Sequence, residues 1–174
     1  LHEAVQRESK AARDSAGILD ASTLGKIDIQ GPDASEFLNR VYTNAWSKLA
    51  IGKCRYGLML NEDGMVYDDG VTTRLDENHY IMTTTTGGAA TVLGKLEDYL
   101  QTEWPELDVY LTSVTDHYAT ISVCGPNSKK IVSQVIPDLD FSDKSFPHMS
   151  FKNAKIDKIK CRVMRISFTG EHSY

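Results

Sequence analysis

The sequence predicts an α+β fold in which duplicated strand–helix units are built on mixed or antiparallel sheets. Alternating apolar and polar residues mark half-buried strands, and apolar residues at helical spacing mark the helices between them. Residues 26–41 (KIDIQGPDASEFLNRV) also align without a gap to residues 120–135 (TISVCGPNSKKIVSQV), 94 positions later. Both segments run from a strand through Gly-Pro into a helix, which indicates an internal duplication.

Local signals place the individual elements. Gly31-Pro32-Asp33 ends a strand and begins a helix, because proline fits the first helical turn and aspartate complements its positive end. The turn Asn61–Gly64 joins two strands into a hairpin, and Gly87-Gly88 precedes an amphipathic helix. The predicted helices cover residues 2–14, 32–42, 87–101 and 126–136, and the predicted strands cover residues 24–29, 54–60, 65–75, 80–84 and 120–124.

The segment from Lys152 to Arg165 contains six basic residues and one acidic residue. Strand alternation places Lys158, Lys160 and Arg162 on one face and apolar residues on the other. We interpret the segment as an edge strand with one solvated face. A site for an acidic ligand tail is the alternative.

Composition and charge restrict the class of protein. The chain has 174 residues, a formal net charge of −5, 41% hydrophobic and 25% charged residues, which is typical of a globular protein. No apolar run approaches the ~20 residues of a membrane span, and the acidic balance argues against a nucleic-acid partner. No signal peptide is visible at the N-terminus, and the pattern stops at Tyr174 without a closing element. We therefore expect one domain, residues 1–174, that belongs to a longer chain.

The cysteines and histidines predict no metal site. Cys54, Cys124 and Cys161 are widely spaced and form no C-x-x-C motif, and the five histidines are scattered. Each cysteine lies in an apolar or strand-like run. We expect buried, reduced thiols in a cytoplasmic protein.

Two adjacent acidic residues, Asp68 and Asp69, lie within a predicted strand. Alternation groups Asp69 with Tyr67 and Val71 on the more apolar face, so Asp69 is predicted to point inward and Asp68 outward. An inward carboxylate is costly unless it is paired, hydrogen-bonded or protonated. Asp69 is therefore either part of a functional site or a satisfied core aspartate.

Two further features lie close to this strand. Tyr56, on the preceding strand, shares its parity with Leu58 and is predicted to point inward, near Asp69 across the hairpin; it is otherwise an ordinary core tyrosine. The run Thr83–Thr86 places four hydroxyls before Gly87-Gly88. Helix capping explains one of these threonines, and contact with a ligand is the alternative for the others.

Several separate motifs resemble the folate-binding aminomethyltransferase (glycine-cleavage T-protein) family. They keep their order and spacing over nearly the whole chain, and they are Ile27–Ala34, Thr43-Asn44, Tyr56, Leu60–Asp69 and Phe168–Glu171. Four other segments resemble the branch of this superfamily formed by the alpha subunits of heterotetrameric sarcosine oxidases, and they are Asp20–Ile27, Asp68–Thr72, Met82–Gly87 and Gln101–Pro105.

The resemblance implies a tetrahydrofolate site in a central cleft. Asp69 matches the catalytic aspartate of the family, Tyr56 matches its folate-contacting tyrosine, and Glu171 matches the glutamate that pairs with the pterin ring. T-proteins usually carry an asparagine where this chain has Thr84 or Thr85, which points away from aminomethyltransferase proper. Thr84 and Thr85 are therefore the remaining candidates for contact with the substrate.

The resemblance also implies a function. The chain is expected to accept the one-carbon unit of oxidised sarcosine and form 5,10-methylenetetrahydrofolate, together with the other sarcosine oxidase subunits. FAD or FMN and NAD are expected elsewhere in that complex, because Gly-x-Gly-x-x-Gly is absent from this chain. The alternatives are an aminomethyltransferase of the glycine cleavage system and a non-catalytic folate-binding relative.

Overall fold

The computed structural model describes all residues from 1 to 174, which divide into two compact units. One unit combines Leu1–Ala21 with Thr120–Tyr174, and the other is Ser22–Ala119. The helices are α1 (His2–Asp14), α2 (Ala34–Val41), α3 (Ala89–Asp98) and α4 (Ser128–Val135). The strands are β1 (Gly17–Asp20), β2 (Gly25–Gln30), β3 (Cys54–Leu60), β4 (Val66–Asp76), β5 (His79–Thr84), β6 (Tyr110–Ser113), β7 (Ile121–Cys124), β8 (Ser150–Ile156) and β9 (Ile159–Arg165).

The unit Ser22–Ala119 contains a five-stranded antiparallel sheet with the strand order β3-β4-β5-β2-β6. Helices α2 and α3 pack on one face of this sheet, because both carry an apolar stripe at helical spacing. The core between them is formed by hydrophobic side chains and contains Ile27, Ile29, Phe37, Leu38, Trp46, Met59, Tyr80, Met82, Val92 and Leu96. The opposite face of the sheet therefore receives no helix from this unit.

The other unit has two small antiparallel sheets, β1 with β7 and β8 with β9. Its core is formed by residues of α4, β9 and the loop between α4 and β8: Val132, Ile136, Phe141, Phe146 and Val163. Helix α1 contributes no buried residue. None of the helices in the structure has the length and apolar character that a membrane span requires.

The duplication predicted from the sequence is present in the backbone. Helices α2 and α4 begin and end at positions 94 residues apart. The last residues of β2 and β7, Gln30 and Cys124, are also 94 residues apart. Gly31 and Gly125 both have positive φ, at 135° and 107°, and each carbonyl accepts a hydrogen bond from the amide three residues later, at 3.1 and 3.0 Å. A side chain at either glycine would collide with backbone oxygen atoms, so both copies need glycine at this turn.

Most predicted elements are confirmed. The α+β fold class is correct, the predicted helices agree with α1 to α4 within about two residues at most ends, and every strand pair is antiparallel. The single edge strand predicted for Lys152–Arg165 is wrong: Asp157, at φ 53°, turns the chain, and the segment folds into the hairpin β8–β9. Strands β1 and β6, each of four residues, were not predicted. Of the three cysteines only Cys54 is buried, and burial raises the pKa of its thiol to about 11.

Strand β4 leaves its neighbour β5 part of the way along its length. The two strands pair directly over Thr72–Asp76 of β4. At Val71, immediately before this stretch, the main-chain amide donates to the side-chain Oγ1 of Thr83 at 2.9 Å instead. Gly70 lies where the two backbones come closest. A Cβ atom there would lie 1.8 Å from the carbonyl oxygen of Thr83. Glycine at position 70 therefore permits the close approach of the Thr83 carbonyl.

We expect Gly70→Ala to lower the free energy of unfolding by at least about 2 kcal/mol, because the new methyl group would overlap a backbone carbonyl that cannot move freely. Gly94→Ala is the matched control. It lies on the exposed side of α3, where a Cβ meets no atom within 4 Å, so alanine should stabilise by about 0.5–1 kcal/mol. Urea unfolding of the two variants measures both values. Equal effects of the two substitutions would contradict the close approach at Gly70.

Candidate functional site

Tyr56 and Asp69 form a hydrogen-bonded pair on the sheet face that α2 and α3 leave uncovered. Tyr56 lies on β3 and Asp69 on β4, and the Tyr56 hydroxyl donates to Oδ2 of Asp69 at 2.6 Å. Leu58 lies directly opposite Asp69, so the two paired residues are diagonal neighbours across the ladder. The predicted proximity of Tyr56 to Asp69 is thus confirmed.

The predicted orientations are wrong for both acidic residues and for the tyrosine. Asp68 is the buried residue, at 5% exposure, whereas Asp69 is partly exposed. Tyr56 is half exposed, at 50%, and is not a core residue.

A β-bulge accounts for part of this error, because it removes Tyr67 from the face of Asp69, whereas the alternation of Asp69 with Val71 holds. Met59 pairs with Asp68 and Leu60 pairs with Val66, so Tyr67 is an extra residue on β4. Tyr67 and Asp68 consequently both face the helices, and the simple alternation from Tyr67 to Asp69 does not hold. The Tyr67 hydroxyl donates to the carbonyl of Thr91 in α3 at 3.4 Å, which ties the bulge to that helix.

The buried Asp68 carboxylate is fully engaged at the end of β5. Its Oδ1 accepts a hydrogen bond from the Thr85 hydroxyl at 2.6 Å, and its Oδ2 accepts from the Thr85 amide at 3.2 Å. The Thr85 hydroxyl in turn accepts from the amide of Gly88 at 3.1 Å, immediately before α3. A buried carboxylate needs such donors, so this network accounts for the position of Asp68.

The two threonines predicted to contact a ligand both lie in this turn. Thr84 is buried, and its hydroxyl donates to the carbonyl of Thr85 at 2.9 Å. Thr85 is exposed, but its hydroxyl is held by Asp68 and Gly88. Neither hydroxyl is hydrogen-bonded to the Tyr56–Asp69 pair, and both order the turn between β5 and α3.

The side chain of Asn44 is hydrogen-bonded to the backbone of β3 at Tyr56. Its side-chain amide donates to the carbonyl of Tyr56 at 2.6 Å, and the neighbouring amide of Thr43 donates to the carbonyl of Leu58 at 3.1 Å. Thr43-Asn44 was one of the motifs that carry the family resemblance, but no function was predicted for it from the sequence. Asn44 lies in the connection between α2 and β3, and an asparagine in such a connection is a residue type that bonds the backbone through its side chain.

The carboxylates affect the two tyrosines closest to them. The hydrogen bond to Asp69 raises the pKa of Tyr56, because proton loss would place two negative charges together. Burial, with a smaller contribution from the charges of Asp68 and Asp69, raises the pKa of Tyr42. Both phenols therefore remain protonated donors at neutral pH.

Glu171 lies in the unit formed by Leu1–Ala21 and Thr120–Tyr174. Its Oε1 is 3.3 Å from Nη1 of Arg13, and its side chain is 12% exposed. A hydrogen bond from Thr169, together with the charge of Arg13, lowers the pKa of Glu171. Its Oε2 is buried and has no hydrogen-bond partner, which leaves a carboxylate oxygen able to accept a donor.

The model of the GCVT N-terminal domain family matches residues 1–174. Among curated proteins, the chain is 55% identical over 175 residues to sarcosine oxidase subunit alpha from Corynebacterium sp. (strain U-96), covering 100% of this chain and 18% of that protein. It is 49% identical over 174 residues to the subunit from Rhizobium meliloti (strain 1021), covering 99% and 18%. It is 31% identical over 175 residues to an aminomethyltransferase from Listeria monocytogenes serotype 4a (strain HCC23), covering 98% and 45%.

Two solved structures show the same fold. Aminomethyltransferase T of the glycine cleavage system from Bartonella henselae superposes with a TM-score of 0.82 at 24% identity, covering 97% of this chain and 43% of that one. Heterotetrameric sarcosine oxidase from Corynebacterium sp. U-96, in complex with pyrrole 2-carboxylate, gives a TM-score of 0.61 at 14% identity, covering 99% and 80%.

The chain spans 18% of the length of the sarcosine oxidase alpha subunits that it matches, whereas the family model matches every one of its residues. Its own residues form the strand–Gly-Pro–helix repeat and the Tyr56–Asp69 pair that the sequence pattern predicted. This chain therefore belongs to the GCVT N-terminal domain family.

Proposed function

We propose that this chain is the tetrahydrofolate-binding part of a sarcosine-oxidase-like alpha subunit, and that it forms 5,10-methylenetetrahydrofolate from the one-carbon unit of oxidised sarcosine. The single observation that carries the proposal is the Tyr56–Asp69 hydrogen bond of 2.6 Å. Identity of 49–56% to three sarcosine oxidase alpha subunits supports the choice of this branch of the family.

The chemistry needs a group that can hold and accept protons at an amine. Oxidation of sarcosine leaves a methylene imine of glycine. One tetrahydrofolate nitrogen attacks this methylene carbon, the second displaces the glycine nitrogen, and the two amine protons leave with the released glycine. Asp69, oriented by Tyr56, would accept a proton and stabilise the positive charge that develops on the folate nitrogen. The step requires no oxidant beyond the one that formed the imine.

The properties of Glu171 fit the recognition of a pterin. A pterin presents adjacent N–H donors at its edge, and a carboxylate accepts from such an edge with both oxygens. Oε2 of Glu171 is buried without a partner, and Thr169 and Arg13 favour the ionised form that acts as an acceptor. In this proposal Tyr56 and Asp69 act at the reacting amine, and Glu171 is the candidate acceptor for the pterin edge. Thr84 and Thr85 order the turn that follows β5 and encloses Asp68.

The partners and cofactors belong to the same proposal. The other sarcosine oxidase subunits would bind this chain in a heterotetramer, and FAD or FMN and NAD would be held outside it, where the flavin supplies the oxidation of sarcosine. We place the complex in the cytoplasm, which the three free cysteines favour.

Aminomethyltransferase activity is the second candidate function. It is favoured by the 31% identity to the Listeria aminomethyltransferase over 98% of this chain. The two functions differ in the carbon donor, an imine of glycine for one and a lipoyl-linked aminomethyl group for the other. Supplying the protein with each donor and tetrahydrofolate distinguishes them.

We expect Asp69→Asn in the full-length enzyme to lower formation of 5,10-methylenetetrahydrofolate by ~100-fold or more, because the substitution removes the proton acceptor and its charge. Sarcosine-dependent peroxide production should be unchanged, because the flavin chemistry lies outside this chain. Both products are measured side by side at saturating tetrahydrofolate.

Asp76→Asn is the matched control, since Asp76 lies at the exposed end of the same strand. It should leave both products unchanged. Equal loss of both products in Asp69→Asn would mean that Asp69 maintains the assembly instead, and loss of neither would exclude it from the reaction.

We expect Tyr56→Phe to lower folate product formation by ~10-fold, less than the aspartate substitution, because Asp69 remains but loses a charge-assisted hydrogen bond. Tyr110→Phe is the control, because Tyr110 is also exposed and also hydrogen-bonded to an aspartate, Asp108. Single-turnover rates with preformed imine measure the step directly. A rate for Tyr56→Phe equal to that of Tyr110→Phe would leave Tyr56 without a function in the reaction.

A further inference from the structure

We propose that Asp68 and Thr85 act as positioning residues, whose hydrogen bonds fix the place of the β4 bulge and thereby decide which of the two adjacent aspartates faces Tyr56. The functional part of this inference rests on the proposed function, in which Asp69 contacts the substrate. Its structural part does not, because it concerns only the ladder between β3 and β4.

Two positions of the bulge are compatible with the same flanking pairs. In the structure Gly57 pairs with Gly70, Leu58 with Asp69 and Met59 with Asp68, and Tyr67 is the extra residue before Leu60 pairs with Val66. If Asp69 were the extra residue instead, Leu58 would pair with Asp68 and Met59 with Tyr67. The pairs Gly57–Gly70 and Leu60–Val66 would remain, but Asp68 would occupy the place beside Tyr56.

The alternation of the strand does not choose between these arrangements, because residues 68 and 69 are both aspartate. The contacts on the helix side do choose. In the observed arrangement both oxygens of Asp68 accept hydrogen bonds from Thr85, and Tyr67 reaches the α3 carbonyl of Thr91. With the bulge at Tyr67 both oxygens of the buried carboxylate are therefore satisfied, which favours this arrangement.

The surroundings of Thr85 show that this contact is closely packed. A Cβ at Gly88 would lie 2.5 Å from Oδ1 of Asp68 and 2.7 Å from Oγ1 of Thr85, so glycine is required for the turn to close around the carboxylate. The Gly88 amide also donates to the Thr85 hydroxyl at 3.1 Å, which leaves that hydroxyl's proton directed to Asp68. Asp68, Thr85 and the start of α3 are therefore joined by one set of hydrogen bonds.

The test measures whether Tyr56 still interacts with Asp69 when the Thr85 hydroxyl is removed. In the full-length protein labelled with 3-fluorotyrosine, 19F NMR follows the titration of Tyr56, and Tyr56→Phe assigns the resonance. Asp69→Asn should lower the pKa of Tyr56, because their hydrogen bond raises it. In a Thr85→Val background the same substitution should produce a shift at least about twofold smaller, since Asp69 no longer faces Tyr56.

Two control backgrounds separate this effect from general damage. Thr86→Val changes the neighbouring exposed threonine, whose hydroxyl contacts Thr23 and not Asp68, so the shift should equal that of the unmodified protein. Thr85→Ser keeps the hydroxyl and should restore the full shift. An undiminished shift in Thr85→Val, or a shift lost equally in Thr86→Val, would overturn the proposal.

The enzymatic readout follows from the same variants. Thr85→Val should lower kcat for folate product formation ~10–100-fold, with little change in KM for tetrahydrofolate and none in peroxide production, because the base is displaced and not the binding surface. If Asp69→Asn itself leaves the folate product unchanged, the proposed function fails, and the titration of Tyr56 still decides the positioning role. A Thr85→Val enzyme with an unaltered kcat would contradict the functional part.

Discussion

The burial of the Asp68 carboxylate is the constraint on which the geometry of the candidate site depends. A carboxylate among apolar side chains is stable only with donors at both oxygens, and Thr85 provides them from the end of the neighbouring strand. This contact links β4 to the residue after β5, beyond the point at which the main-chain ladder between the two strands stops. At this end of the sheet, hydrogen bonds between Asp68 and Thr85 join β4 to the end of β5, where the main-chain hydrogen bonds between the two strands have stopped.

The same strand divergence explains why a polar pair can stand on this part of the sheet. The amide of Val71 bonds to the side-chain hydroxyl of Thr83 in place of a main-chain carbonyl. The bulge at Tyr67 is a second irregularity, four residues before Val71. Bulges re-aim side chains next to functional sites. Here Asp69 and Tyr56 lie on the face opposite the helices, and the Asn44 side-chain amide donates a hydrogen bond to the main-chain carbonyl of Tyr56.

The sequence was sufficient for the elements and for part of the site. Gly31-Pro32 and Gly125-Pro126 predicted both strand–helix units. Glycine permits the positive φ that ends the strand, and proline fits the first turn of the helix that follows. Proximity of Tyr56 to Asp69 followed from the hairpin alone. The orientation of Asp68 and Asp69 could not be predicted, because grouping Asp69 with Tyr67 made that face look apolar. The bulge removes Tyr67 from the face of Asp69, and no glycine or proline at Tyr67 marks it. Glu171 was identified only through the family resemblance, since no local sequence pattern distinguishes it from the other acidic residues.

Two adjacent residues of the same type thus acquire different chemistry from their surroundings. Asp68 has both oxygens occupied and a fixed environment, so it is unsuited to exchange protons with a ligand. Asp69 has one oxygen bonded to the Tyr56 phenol, and its Oδ1 makes no hydrogen bond in the structure. A carboxylate held by one oxygen keeps its orientation while the other oxygen stays available to an incoming amine, which is what a general base requires. Glu171 repeats this arrangement in the other unit, with Oε1 near Arg13 and Oε2 without a partner. Both candidate ligand-binding carboxylates are therefore half satisfied by the protein, and this property distinguishes them from Asp68.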